Sequence, residues 1–218
     1  MDDNLSWCYH IKHDNSKISR ALFTINQAKH LLSPNCMLTL YYSMIHPYLA
    51  YGLLAWGNYS KSLLNHTLSL QKKAVRIISK AHFDSHTDPI FKQLNILKLT
   101  DLYEYEMALF MMKYARNKLP CSFNGLFPTI NNKLGRSFTR QSQLLHVKFS
   151  RTDFSGRFLI FKFPRLWNEW CCKIPNYDYL SVNQFKYSVK RILVASYMDM
   201  VHSAELHLNK PVVCTPVD

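Results

Sequence analysis

A polymerase or nuclease centre needs carboxylates on rigid neighbouring elements, placed so that two cations sit about 4 Å apart. The acidic candidates in this sequence are Asp2-Asp3 and the group Asp101, Glu104 and Glu106. Asp101 and Glu104 can share one helix face, but Glu106 cannot join them, and acidic residues early in a helix already have a role in opposing its dipole. Cys8-x-His10-x-x-His13 and His82-x-x-x-His86 have ligand-like spacing, yet neither has a second pair at a zinc-module distance. The five glycines are isolated, so no phosphate-cradling loop is available, and no serine sits in a Gly-x-Ser-x-Gly elbow. No catalytic residue, metal or cofactor is expected.

The basic residues carry more information. Lys72, Arg76 and Lys80 fall at i, i+4 and i+8 with Lys73 alongside, so four cations line one side of a helix. Like charges at this spacing repel by tenths of a kcal/mol, roughly, per pair; a phosphate backbone reverses the sign. A second block interleaves Arg136, Arg140, Lys148, Arg151, Arg157, Lys162 and Arg165 with Phe138, Phe149, Phe154, Phe158 and Trp167. Arginine with aromatics suits single strands or irregular RNA, through phosphate contact and base stacking. An ordinary solvated helix face and a set of core aromatics are the competing readings of the two blocks.

The whole chain has 218 residues, 27 Lys and Arg against 14 Asp and Glu, and a formal charge of +13. Residues 61–80 hold five basic and no acidic side chains, and 131–173 hold nine basic and two acidic. Two blocks thus supply nearly all the excess, where a solvated coat would be even. At 48% hydrophobic the chain is neither disordered nor collagen-like as a whole. The six cysteines are scattered without a Cys-x-x-Cys pair, and Met1-Asp2-Asp3-Asn4 is unlike a secretory leader. Free, mostly buried thiols in a reducing compartment, nucleus or cytoplasm, are expected.

Apolar periodicity dictates the elements that carry these blocks, and the expected fold is mainly α. A helix is predicted over His10–Leu32. Ser33-Pro34 reads as an N-cap with proline at the first helical position, opening a second helix through Met44 and Ile45. Pro47 breaks it, leaving a further piece from Tyr48 to Trp56. A third main helix covers about 62–80. Thr87-Asp88-Pro89 starts a short helix, and Thr100-Asp101 caps another ending near Leu119-Pro120. From 121 to 155 the pattern is irregular. Phe158 to Phe163 alternates as one short strand, and Pro164 opens a helical turn. Ser181-x-x-Gln184 is a capping box before a last helix. At most one or two short strands are expected.

No Asp, Glu, Lys or Arg occurs from His30 to Ser60. A bilayer span needs about 20 apolar residues in one helix. Pro34, Asn35, His46, Pro47 and Asn58 interrupt this run, so buried core helices are expected and no membrane span.

Several motifs together resemble one family. Leu5-Ser6-Trp7-x-x-His10-Ile11 with Lys17-Ile18-Ser19 is similar to the segment that closes the palm and enters the thumb in reverse transcriptases of non-LTR (LINE) retrotransposons. Leu40-Tyr41-Tyr42-Ser43-Met44-Ile45-His46-Pro47-Tyr48-Leu49-Ala50-Tyr51-Gly52, then Trp56-Gly57, resembles their thumb signature. Leu70-Gln71-Lys72-Lys73-Ala74-Val75-Arg76-Ile77-Ile78 resembles the basic helix after it. His86-Thr87-Asp88-Pro89-Ile90-Phe91, Leu94-Asn95-Ile96-Leu97-Lys98-Leu99, Thr139-Arg140, Leu166-Trp167-Asn168 and Phe185-Lys186 continue in order. The likeness runs from about residue 4 to 197 and is greatest to the jockey and chicken-repeat branch. Phe163-Pro164-Arg165 departs from the usual Gly-Pro, Trp170-Cys171-Cys172 displaces the following Leu-Pro to Ile174-Pro175, and the tail after Tyr197 matches nothing.

The resemblance implies a thumb-like helical bundle over 1–85, a helical extension over 86–120, a basic post-thumb region over 121–198 and a tail over 199–218. It implies a part of an RNA-directed DNA polymerase that lies beyond the fingers and the catalytic palm, so Asp2-Asp3 are not the metal-binding aspartates. The implied partner is template–primer nucleic acid, RNA or DNA or both, with a palm supplied in trans as a further option. Lys72, Lys73, Arg76 and Lys80 would meet phosphates; Arg136, Arg140, Arg151, Arg157, Lys162 and Arg165 would meet template or target. The alternative is a structural or protein-interaction module, or a decayed element remnant, without a nucleic-acid role.

Overall fold

A computed structural model describes residues 6–130, 144–156, 158–174 and 177–197. Ile11, Ile18, Ala21, Leu22 and Ile25 recur at helical spacing and bury one side of α1, Cys8–Ala28. This side lies along α5, Lys61–Ser79, which buries Leu70, Ala74, Val75 and Ile78. Asn15 and Thr67 are buried between the two, and the Thr67 hydroxyl donates to Asn15 Oδ1 at 2.8 Å. One polar pair thereby fixes how the two helices slide past each other.

Ser33 caps α2, Pro34–Met44, its Oγ accepting from the Cys36 amide at 3.4 Å, with Pro34 at the first position as expected. The piece predicted from Tyr48 to Trp56 is two short helices, α3 (His46–Ala50) and α4 (Leu53–Trp56). Gly52, at φ +61°, takes the left-handed turn between them. The Trp56 indole N–H closes this turn on the Tyr51 carbonyl at 2.7 Å. Met37, Tyr41, Ile45, Leu49, Leu53 and Trp56 are all buried, which accounts for the uncharged stretch. Among the described residues no helix is long and apolar enough to cross a membrane.

After α6, Asp88–Gln93, comes α7, Leu99–Ala115, with Leu102, Tyr103, Met107, Ala108, Met111 and Met112 buried. Burial around most of its circumference makes it the central helix; it meets α4, α5 and both later long helices. Lys98, not Thr100-Asp101, stands at its N-cap, and no side chain caps locally. The reason is tertiary: the Leu99 amide donates to Gln71 Oε1 at 2.9 Å and the Lys98 amide to the Tyr197 hydroxyl at 3.0 Å. Those early amides have distant partners and need no neighbour.

The irregular stretch after Pro120 holds a 3-10 turn, Cys121–Phe123, and the short α8, Asp153–Gly156. The strand expected at Phe158–Phe163 is overturned: these residues belong to α9, Leu159–Lys173, with Phe158 at its N-cap and Pro164 inside it. Phe163, Trp167, Trp170 and Ile174 are buried at four-, three- and four-residue steps, a helical set that a six-residue window cuts off. Among the described residues the β-structure is an isolated antiparallel bridge between Thr129 and Leu145. Asn168 brackets Leu145 through its amide N–H and carbonyl groups, at 3.0 and 2.9 Å. The predicted capping box opens α10, Val182–Ala195. The fold is mainly α, as its periodicity implies.

The expectation of mostly buried thiols is also corrected. Cys36, Cys121 and Cys172 are exposed, and Cys8 and Cys171 are half-buried. Neighbouring larger apolar side chains take the core positions instead, Met37 beside Cys36 and Trp170 beside Cys171.

Candidate nucleic-acid interface

The C-terminal end of α1 and the C-terminal half of α5 lie side by side, and their last turns diverge around a cleft of about 620 Å³. Lys73, Arg76 and Lys80 line it from α5, Lys29 from just beyond α1, and Ile77 and Ala81 form an apolar floor. At about 100° per residue, Lys73, Arg76, Ile77 and Lys80 share a face, while Lys72 is rotated off it. Of the four cations expected on this helix, three converge on the cleft and Lys72 does not line it.

Lys80 ends the helix at φ +55°, its amide donating to the Ile77 carbonyl at 3.2 Å. The chain then doubles back, and Arg76 Nε donates to the Ser85 carbonyl at 2.9 Å. Phe83, 79% exposed, stands at the cleft's edge, its ring 4.6 Å from that of His82. Asp84 pairs with His82, and this hydrogen bond holds the Asp84 carboxyl below the usual carboxylate range. Among the described residues, Lys29, Lys73, Arg76 and Lys80 have no carboxylate at ion-pair distance.

A second cleft, about 560 Å³, lies between the start of α5 and α9. It gathers Asn58 and Lys61, then Lys148 and Ser150, then Lys162 and Arg165. Lys162 is half-buried: its Nζ donates to Asn58 Oδ1 at 2.8 Å and lies 4.6 Å from the centre of the Tyr103 ring. Burial pulls the Lys162 pKa down, against the opposing field of Glu104. Two stretches about 100 residues apart, one from each basic block, thus meet at one polar surface. Phe149 is 90% exposed close by in sequence, whereas Trp167 belongs to the core.

Arg151 is exposed but lines neither cleft. Arg136, Arg140 and Arg157 lie outside the described residues. Lys29, Lys61 and Phe83 are additions. Lys29 sits 44 positions before Lys73, so nothing local to either announces their meeting. Phe83 did leave a signal: an aromatic between His82 and Asp84 in a turn has no apolar periodicity to bury it.

The metal-like spacings resolve otherwise. Among the described residues no three His, Cys, Asp or Glu side chains are placed to hold a metal ion, and the contact of His13 Nδ1 with Asp14 Oδ1 at 3.1 Å is a hydrogen bond between chain neighbours. His10 faces Asp14 at 3.2 Å, an ion-pair distance without hydrogen-bond alignment, and packs edge-on to Trp7 and Trp56. Asp88 pairs with Lys98 at 2.8 Å, and Asp101 accepts from the Tyr197 hydroxyl. Glu104 and Glu106 are half-buried, and burial raises the pKa of each.

No family model and no solved structure matches this chain. Over 105 residues it is 33% identical to the RNA-directed DNA polymerase from mobile element jockey of Drosophila melanogaster. The match takes in 46% of this chain and 11% of that relative. The chain is therefore a distant relative of a retrotransposon RNA-directed DNA polymerase, in agreement with the order of its motifs.

Proposed function

We propose that this chain holds the template–primer for a reverse transcriptase and does not itself copy it. The observation that carries the proposal is the convergence of Lys29, Lys73, Arg76 and Lys80 on one cleft, with no carboxylate at ion-pair distance from them among the described residues. Gathering four cations is unfavourable in isolation, Asp84 acts on Arg76 only from beyond ion-pair distance, and phosphates are ligands that reverse the repulsion. The second cleft, with Lys61, Lys148, Lys162 and Arg165, extends the phosphate contacts. The helices up to about residue 85 serve as the thumb, 86–120 as its extension and 121–198 as the basic post-thumb region. The best-placed carboxylates are engaged elsewhere, Asp14 with His10, Asp88 with Lys98 and Asp101 with Tyr197. Copying chemistry then belongs to a palm, in the same polyprotein or in trans, inside the nucleus or cytoplasm.

Titration of the purified chain with labelled RNA, DNA and primer–template duplex, repeated across salt, tests this. Phosphate grip gives a log–log slope of about −0.7 to −0.9 per contact. Absence of binding at low salt sinks the proposal, and nucleotide incorporation by the purified chain sinks its non-catalytic part.

A further inference from the structure

We infer that the cleft between α1 and α5 takes an unpaired nucleotide, so that this site selects single-stranded RNA or DNA over duplex. The inference rests on the nucleic-acid reading above and specifies which form of nucleic acid the site receives.

The two clefts differ in their balance of polar and apolar lining. A duplex hides its base faces in the stack and offers a protein phosphates and groove edges. The cleft at α9 fits such a surface better, because Asn58 and Ser150 stand among its cations, although Phe161 and Leu166 also line it. In the cleft at α5 the half-buried Ile77 and Ala81 add apolar lining beside the cations, and the exposed Phe83 stands at its edge. A phosphate backbone has no use for an apolar floor. An extruded base does: its face stacks on Phe83 and its edge covers Ile77 and Ala81, while its flanking phosphates reach Lys73, Arg76 and Lys80.

The aromatic is also held for this use. Arg76 ties the turn that carries it through the Ser85 carbonyl, and His82 lies against its ring. At about 620 Å³ the cleft falls within the size range of small-ligand sites. Asn26 is an amide at its lining, too little on its own to read base identity. The preference is therefore for strandedness, not sequence.

The test uses the full chain and three fluorescein-labelled probes of equal length: single-stranded RNA, single-stranded DNA and a blunt duplex. At one fixed salt concentration the single strands bind at least about tenfold tighter than the duplex, on the scale of one base–aromatic stack. Phe83→Ala lowers single-strand affinity by roughly 5- to 50-fold, leaves duplex affinity and both salt slopes unchanged, and Phe83→Trp restores the loss. Phe83 is exposed, so the truncation leaves the fold intact, which far-UV circular dichroism checks. Lys80→Gln flattens the salt slope for every probe that occupies the cleft. Single-strand affinity unchanged by Phe83→Ala overturns the inference, as does equal affinity for strand and duplex; binding that persists in those cases leaves the parent reading standing. Binding of no probe removes the parent reading itself.

Discussion

Arg76 Nε donates to the backbone carbonyl of Ser85 at 2.9 Å, so a residue of the basic helix also holds the turn that presents Phe83. One side chain thus serves charge and shape together, and the two roles separate on substitution. Arg76→Lys keeps the charge but loses the Nε donor, because an ammonium on a flexible stem does not reproduce the guanidinium fork. Unfolding in urea is expected to show a loss of about 1 kcal/mol. The salt dependence of nucleic-acid binding stays that of the native chain, while Arg76→Gln reduces it.

Gln71 makes three hydrogen bonds from a fully buried side chain. Its amide donates to the Tyr41 hydroxyl at 3.0 Å and the Leu97 carbonyl at 2.8 Å, and its carbonyl accepts from the Leu99 amide. Gln71→Leu leaves the two backbone groups buried and unpaired. A loss of about 3 kcal/mol is expected in chemical denaturation, with Tyr41→Phe costing about 1 kcal/mol.

Trp56-Gly57 has a steric explanation. A Cβ at Gly57 would lie 2.6 Å from both the Leu53 carbonyl oxygen and Tyr103 Cδ2. The backbone of α4 and the central helix must give way, so Gly57→Ala is expected to cost about 2 kcal/mol, in the range of overpacked cores. Thermal unfolding reads this directly.

Glu104 supplies a pH dependence. Burial, then the charge of Asp101, raises its pKa above the usual glutamate value, with Lys173 and Lys162 pulling the other way. The folded chain holds the proton more tightly than the unfolded chain. The group's favourable contribution is therefore full below the ordinary glutamate pKa and lost as pH rises through the elevated one. Glu104→Gln is expected to raise the melting temperature at pH 7 and to leave it unchanged near pH 4. Equal melting temperatures at both pH values would count against this account.

Adjacent cysteines should react at different rates. Burial pushes the Cys171 thiol from the usual 9.0 up to about 11, whereas Cys172 is exposed. Thiolate is the attacking species, and its scarcity outweighs its greater nucleophilicity. Iodoacetamide at pH 8, followed by peptide mass spectrometry, is expected to label Cys171 roughly tenfold more slowly than an ordinary thiol.

What the sequence makes legible is what is local. Ser33-Pro34 and Ser181-x-x-Gln184 cap their helices as read, because capping needs neighbours within four positions. Thr100-Asp101 does not mark the start of α7, because the early amides of that helix are met by Gln71 and Tyr197, 28 and 99 positions away from their donors. Phe158–Phe163 looks like a strand because Leu159, Phe161 and Phe163 recur at every second position over so short a span, and only Trp167, Trp170 and Ile174 decide for the helix. The basic helix was evident, but its cleft was not. Lys29 and Phe83 come from beyond its ends, and the 100° step that turns Lys72 away matters only once α1 lies alongside.

Lys162 arrives at any ligand already immobilised. Asn58 and the Tyr103 ring restrict a side chain that ordinarily keeps rotamer freedom worth about 2 kcal/mol. A phosphate entering that cleft meets one cation with little ordering left to undergo, while the exposed Lys73 must still be ordered as it binds. The ordering cost of an anion contact is therefore already met at the α9 cleft by the fold itself, and at the α5 cleft it falls on the binding step.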